Sequence, residues 1–403
     1  MIRWLVALGG VFSFAAAAAA AQAAPATKPR PAHAGFETLL REVWPQAQAQ
    51  GISRATLDTA FAGLTPDPRV LRATRRQPEF GKPVGAYVAG IVTRANIVTG
   101  RRKATEWAKT LDAIEKRFGV DRWTLLAIWG METSYGALKD RWDVFRSLAT
   151  LAQAGYRHPY FRNELIVALK IMQDGHIPRP RMVSSWAGAM GQPQFMPSSF
   201  MAYAIDFSGG GRPDIWTNVA DVLASIANYL HKRGWQPGLT WGYEVTVPRG
   251  FDYRHSRDAF AGWSKRGVRR TDDGAFPVAG NGILLFPTGA AGPAFLATDN
   301  YPVLKQYNNS DAYALAVGHL ADRIRGDGPV RAAWPSIDRQ LSRDARIALQ
   351  RKLAALGFRV NNFEAHIDFE LRDAIREVQM KFGMVPDGHP TPALLRRLGI
   401  DVR

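Results

Sequence analysis

From Phe36 to Arg325 apolar residues recur at the helical period of about 3.6 residues, and this long tract limits the first part of the chain to a largely α-helical body. Phe36, Leu39, Leu40 and Val43 mark one stripe. A second helix is expected over Arg54–Phe61, stopped by Gly63 and the Pro66 and Pro68 turn. Helices are then expected at Tyr87–Val98, Trp107–Phe118, Trp123–Glu132, Arg146–Leu151 and Phe161–Asp174, until Pro178, Pro180 and the glycine-rich stretch Gly188 to Pro197 break the pattern. Asp221–His231 and Ala312–Arg325 resume it. β-Branched and aromatic residues bounded by Gly and Pro mark strands at Tyr243–Val247 and Ile283–Phe286. The expected class is α+β, predominantly α-helical, with a small β insertion.

Gly326-Asp-Gly-Pro329 and Trp334-Pro335 read as a linker. Beyond it, helices expected at Asp344–Leu356, Asp368–Phe382 and Pro392–Leu398 make a small three-helix accessory module. The expected boundaries are a signal peptide over 1–24, a disordered segment over 25–34, a catalytic domain over 35–327, a linker over 328–337 and the module over 338–400. Few contacts are expected to cross such a linker, so that truncation after Pro329 would spare the first domain.

The first residues read as an export signal. Arg3 supplies the positive start, Trp4 to Ala21 the apolar stretch, and Ala21-Gln22-Ala23 the small-residue cleavage site. No later segment offers the roughly 20 apolar residues of a membrane span. The chain has no cysteine, which excludes a lipid-modified N-terminal Cys, disulfides and thiolate metal sites. The expected location is the periplasm, and the expected state a monomer. The formal charge is +17, or about +16 once Arg3 leaves with the signal. Such an excess suits an anionic partner. The basic residues are scattered, however, at Arg72, Arg75 and Arg76, Arg101 to Lys103, Arg179 and Arg181, and Arg266 to Arg270. No continuous basic stripe, helix-turn-helix or aromatic-basic strand points to nucleic acid.

Within the helical tract one residue is out of place. Glu132 follows Leu125, Ile128 and Trp129 by seven, four and three residues, so its carboxylate shares their apolar stripe. An ionised carboxylate there is costly unless paired or protonated. A general acid working near neutral pH needs such a setting. The alternative is an ordinary Glu at a helix end, turned to solvent or capping a loop.

Four stretches bear on that choice. They are Glu132-Thr-Ser-Tyr-Gly136; Ser185-Trp-Ala-Gly-Ala-Met-Gly-Gln-Pro-Gln-Phe-Met-Pro-Ser-Ser199; Asp206-Phe-Ser-Gly-Gly-Gly-Arg-Pro-Asp-Ile-Trp216, running on to Asn228-Tyr229; and Tyr307-Asn-Asn-Ser310. In this order they resemble the family of lytic murein transglycosylase B, from about Phe36 to Arg325. The resemblance implies a lysozyme-like fold and a peptidoglycan glycan strand as substrate. It also implies one catalytic carboxylate, at Glu132. That group would protonate the oxygen between N-acetylmuramic acid and N-acetylglucosamine, then take the proton of the muramyl 6-hydroxyl as it closes on C1. No cofactor is implied. A hydrolase would add a second carboxylate within about 5–10 Å, and Asp140 and Asp143 are the nearest acidic residues downstream.

The resemblance also implies binding roles for Ser185 near the leaving oxygen, Gln194 on an acetamido group, and Tyr307 and Asn308 flanking and orienting Glu132. Arg157 would face the anionic lactyl or peptide part. Trp129, Tyr135, Phe195 and Trp216 are candidate sugar platforms. Some relatives carry a calcium loop where this chain has Asp206 to Asp221. Here Asp206 and Ser208 keep alternating positions, and Asp214 or Asp221 could contribute. Gly210 offers no side chain, however, and the loop has lost negative charge and gained Arg212, so no metal is expected. The C-terminal segment resembles a three-helix peptidoglycan-binding module through Leu349-Gln350, Leu353, Leu356-Gly357-Phe358, Ala374-Ile375, Val378-Gln379, Phe382-Gly383 and Pro386-Asp387-Gly388. Its usual Gly-x-x-Gly-x-x-Thr turn is replaced by Asn361-Asn-Phe-Glu-Ala-His366. The competing readings are a muramidase that hydrolyses the same bond and a catalytically silent wall-binding protein.

Overall fold

The computed structural model describes residues 35–74, 82–139, 141–336 and 340–401. The signal and Pro-rich segments, Arg75, Arg76 and Asp140 lie outside the described residues.

The helix Arg122–Thr133 is the axis of the first domain. Leu125, Leu126, Ala127 and Ile128 are fully buried and Trp129 is 1% exposed, so the helix is covered on every side. It lies along Asp311–Arg325, with Arg94–Glu106, Ala108–Phe118 and Val219–Lys232 around it. Asp121 starts it by accepting the Thr124 amide at 2.9 Å, and Ser134 ends it in the left-handed conformation. A second layer pairs Val144–Gln153 with Tyr160–Gln173.

The expected helix Tyr87–Val98 is two helices, Val84–Ile91 and Arg94–Glu106. The local reason is a capping exchange. Thr93 accepts the Asn96 amide at 3.2 Å, and the Asn96 side chain donates back to the Ile91 carbonyl at 2.7 Å. Two groups left over by the break are thereby satisfied. The β insertion is also larger than expected. Five antiparallel strands run in the order Arg257–Ala259, Asn281–Leu285, Ala294–Ala297, Gly242–Thr246, Arg269–Arg270. They close over their own core of Val245, Phe260, Trp263, Val268, Leu284, Phe286, Ala294 and Leu296. A two-stranded ribbon, Trp142–Asp143 with Val183–Ser184, leads into the glycine-rich stretch.

The C-terminal helices Arg343–Ala355, Phe369–Lys381 and Pro392–Arg397 enclose a separate core around Leu349, Leu353, Leu371, Ile375 and Leu394. The expectation that few contacts cross the linker is overturned. Arg372 pairs with Asp311 at 2.7 Å, Lys305 donates to the Ile367 carbonyl at 3.1 Å, and Asp387 accepts the Ala290 amide at 2.9 Å. The ring of Phe369 packs against Tyr301, and Trp334 of the linker packs against Phe295. Arg372 is 4% exposed and Lys305 8%. A cation is buried only with its partners in place, so the docked arrangement is built into the sequence. Among the described residues no helix is long and apolar enough to cross a membrane.

Candidate active site

Glu132 occupies the last turn of the central helix, half-buried, where the apolar stripe meets open space. The next residues, Ser134, Tyr135 and Gly136, all have positive φ, at 50°, 59° and 79°. Two consecutive left-handed non-glycine residues carry strain of about 1–3 kcal/mol each, stored only where surrounding contacts enforce it. Arg157 and Gln194 share the feature, at 50° and 54°. Strain therefore collects at residues that the sequence motifs single out.

The contacts that enforce the turn are specific. Tyr135 folds back beneath the helix and donates to the Asn96 carbonyl at 2.8 Å. Its ring occupies the place a side chain on Gly130 would fill, 2.5 Å from an added Cβ. Gln192 is the central brace. It accepts the Trp129 indole N–H at 2.7 Å, donates to the Trp216 carbonyl at 2.9 Å, and its own carbonyl accepts the Thr133 hydroxyl at 3.0 Å. The glycine-rich loop is thus locked to the Glu132 helix by a buried amide. The sequence motif contains Gln192 but gives no sign of which of its two glutamines does this.

Tyr313 holds the Glu132 carboxylate, its hydroxyl donating to Oε1 at 2.6 Å. Burial, and then the nearby Glu132 carboxylate, push the Tyr313 phenol well above its ordinary pKa. It therefore remains a neutral donor. Sequence reasoning missed Tyr313. Its only signal was its place at the start of the Ala312–Arg325 helix, three residues after Ser310. Tyr307, expected to flank and orient Glu132, lies close enough to feel its charge, and its hydroxyl donates to the Pro193 carbonyl at 2.7 Å. Its ring lies nearly parallel to that of Tyr313, 9° apart and 6.4 Å between centroids. Burial and then Glu132 also push the Tyr307 phenol well up. Tyr307 thus supports the donor sterically while tying the wall of the site to the glycine-rich loop. Asn308 follows it, half-buried, as the C-terminal cap of the Asn300–Tyr307 helix.

Ser185 opens the glycine-rich loop, and its hydroxyl accepts the Ala189 amide at 3.2 Å, leaving its own proton free to donate. Gln194 donates to the Gly191 carbonyl at 2.9 Å. Arg157 pairs with Glu364 of the C-terminal module at 3.0 Å and lies over the Tyr160 ring. Three of the expected sugar platforms are core. Trp129, Tyr135 and Phe195 are 1%, 7% and 2% exposed, and only Trp216 remains half-open. It lines a hollow of about 380 Å³ with Lys139, Arg181 and Gln192 beside the Glu132 turn. Asp143 is already committed, capping the Val144–Gln153 helix and pairing with Arg179 at 2.6 Å.

The Asp206–Asp221 loop closes on itself. Asp206 accepts the amides of Gly209, Gly210 and Gly211 at 2.6–2.9 Å, and Asp221 accepts those of Phe207, Ser208 and Asp214 at 2.9–3.0 Å. Arg212 fastens the loop to the Asp174 carbonyl at 2.9 Å. Carboxylates spent on backbone amides, with a guanidinium at the rim, do not fit a calcium ion, which wants several free oxygens. Chelation with EDTA is therefore expected to leave the melting temperature unchanged to within about 1 °C in a calorimetric scan; a ligand bound only to the native state would have raised it.

Comparison with known proteins agrees with this geometry. The family described as Transglycosylase SLT domain matches residues 35–322, and a peptidoglycan binding domain matches residues 342–398. The chain is 30% identical over 262 residues to membrane-bound lytic murein transglycosylase B of Escherichia coli, covering 62% of this chain and 70% of that one. It superimposes on SltB3 of Pseudomonas aeruginosa, crystallised with NAG-anhNAM-pentapeptide, with a TM-score of 0.82 and 44% identity over 91% of this chain and all of that one. The Escherichia coli lytic transglycosylase Slt35, crystallised with calcium, shares the fold at 24% identity and a TM-score of 0.59 over 71% of this chain and 91% of that one. With the motif order, the buried brace and the held carboxylate, these matches establish that the chain belongs to the transglycosylase SLT domain family, and that it is a lytic transglycosylase of peptidoglycan with a peptidoglycan-binding domain appended.

Proposed function

We propose that Glu132 is the catalytic acid and base of an exported enzyme acting in the periplasm, as a monomer, in cell-wall turnover or remodelling. The glycan would lie with the oxygen between N-acetylmuramic acid and N-acetylglucosamine against Glu132. As the C1–oxygen bond breaks, the carboxyl proton passes to the departing sugar oxygen. The muramyl 6-hydroxyl then closes on C1 and returns its proton to the carboxylate, leaving a 1,6-anhydro end. One group thus serves both halves of the reaction, and the substrate supplies the nucleophile. Ser185, Gln194, Tyr307 and Asn308 contact the sugars in this reading, and Arg157 meets the anionic lactyl or peptide part.

The observation that carries the proposal is the half-buried Glu132 whose carboxylate accepts the neutral Tyr313 hydroxyl at 2.6 Å, next to a strained turn. The commitment of Asp143 to a helix cap and an arginine gives further support against a paired-carboxylate hydrolase. So does the anhydro sugar bound to the 44%-identical SltB3. The Ala21-Gln22-Ala23 cleavage pattern supports export. Mass spectrometry of the soluble fragments from purified sacculi tests the reading. Muropeptides lighter by one water, carrying no reducing muramyl end, are expected as the main product. Reducible ends in their place would assign a muramidase, and no soluble fragments at all a silent wall-binding protein.

A further inference from the structure

One short segment of the C-terminal module, residues 364–372, contacts Arg157, Lys305, Asn309 and Asp311 of the first domain, and Asp311 begins the helix that carries Tyr313. Glu364 pairs with Arg157 at 3.0 Å, and the His366 ring nitrogen lies 2.8 Å from the Asn309 carbonyl. Lys305 donates to the Ile367 carbonyl and pairs with Asp311 at 2.9 Å. Arg372 reaches Asp311 from the module side at 2.7 Å, and Tyr301 donates to the same carboxylate at 3.0 Å. Burial alone would push the Asp311 carboxyl up; the Lys305 and Arg372 cations overcome this and hold it well below the usual carboxylate range. The pair is therefore charged at neutral pH and rigidly bonded on both sides.

Asp311 is the first residue of the helix Asp311–Arg325, and Tyr313 is the third. Whatever fixes Asp311 fixes the start of that helix, and with it the hydroxyl that holds Glu132. A wall-binding module on a free tether would raise local substrate concentration without touching the chemistry. This module instead grips the support of the catalytic group.

We infer that the docked C-terminal module is a positioning part of the active site, with Arg372 acting through Asp311 and Tyr313 to set the Glu132 carboxylate. The inference rests on the reading of Glu132 as the acid. A misplacement of about 1 Å in a catalytic geometry costs up to about 10²-fold. Lys305 and Tyr301 still hold Asp311 when Arg372 is lost, so the effect belongs at the lower end of that range.

The experiment uses the full chain and a short soluble glycan of alternating N-acetylmuramic acid and N-acetylglucosamine, too small to need wall anchoring. Arg372→Met is expected to lower kcat by roughly 10-fold with KM within about 2-fold, and Arg372→Lys to recover most of the loss. Tyr313→Phe, which removes the hydroxyl that reaches Glu132 at 2.6 Å, serves as the coupling partner. If Arg372 works through Tyr313, the double variant is no slower than the slower single; independent effects would multiply. Should Arg372→Met fail to accumulate as folded protein by its melting curve, Asp311→Asn carries the same expectation from the other side of the pair. Unimpaired kcat in folded Arg372→Met or Asp311→Asn, or losses that multiply with Tyr313→Phe, would overturn the coupling. Glu132→Gln run alongside separates the two failures. Full activity there overturns the acid assignment, whereas an inactive Glu132→Gln beside an unimpaired Arg372→Met overturns the coupling alone.

Discussion

Glu132→Gln is expected to lower the rate of sacculus solubilisation by about 10²- to 10⁴-fold or more while leaving the melting temperature nearly unchanged. The amide has the shape of the carboxylate, and its carbonyl oxygen still accepts the Tyr313 hydroxyl that reaches Oε1 at 2.6 Å. What it loses is the proton to give and the basicity to take one back. Since one group is asked to do both, the loss belongs at or above the upper part of the range. The carboxylate is half-buried and neutral amides are cheaper to desolvate than ions, so the fold has no reason to suffer. Turbidity clearing of purified sacculi, paired with a thermal scan, reads both quantities. A Gln variant of comparable rate would remove Glu132 from the chemistry.

Trp129→Ala is expected to cost about 3–5 kcal/mol of stability, the largest packing loss at the site. The indole is 1% exposed, meets Tyr135 edge to face at 5.6 Å, and carries the Lys103 ammonium 5.5 Å above its ring. Its N–H donates to Gln192 at 2.7 Å, so truncation also leaves a buried amide oxygen without that donor. Trp129→Phe separates the two contributions. It keeps most of the volume and loses the N–H, with an expected cost of about 1–3 kcal/mol. A sugar platform would respond differently: its loss raises KM and spares stability. Denaturant unfolding and KM on a soluble glycan distinguish these outcomes. A raised KM with an unchanged unfolding midpoint in Trp129→Phe would return the ring to the substrate.

That misreading of Trp129 shows where sequence alone stops. Period and capping residues made most helices legible, because those signals are local. Thr93 and Asn96 were equally local, yet the break they make inside Tyr87–Val98 was hidden by the continuous apolar pattern around them. Two strands were readable from five. Arg257–Ala259, Arg269–Arg270 and Ala294–Ala297 are too short for a period of two to show, and exist through their neighbours in the sheet. At the site, Glu132 stood out because a carboxylate on an apolar stripe is a local contradiction. Tyr313 did not, since its partner is 181 residues away and a tyrosine at a helix start contradicts nothing. Aromatic identity likewise does not tell whether a ring faces sugar or core. The linker composition was legible as a linker, but not the docking of Arg372 and Lys305 beyond it, because buried ion pairs across domains leave no periodic trace.

The central claim is that one carboxylate cleaves the glycan with an internal hydroxyl as nucleophile. Digesting purified sacculi in heavy-oxygen water and weighing the released muropeptides tests it most directly. The account predicts anhydro ends free of heavy oxygen from the wild-type chain, and almost no release from Glu132→Gln. Substantial heavy oxygen at the new muramyl ends would show that water is the nucleophile and would contradict it.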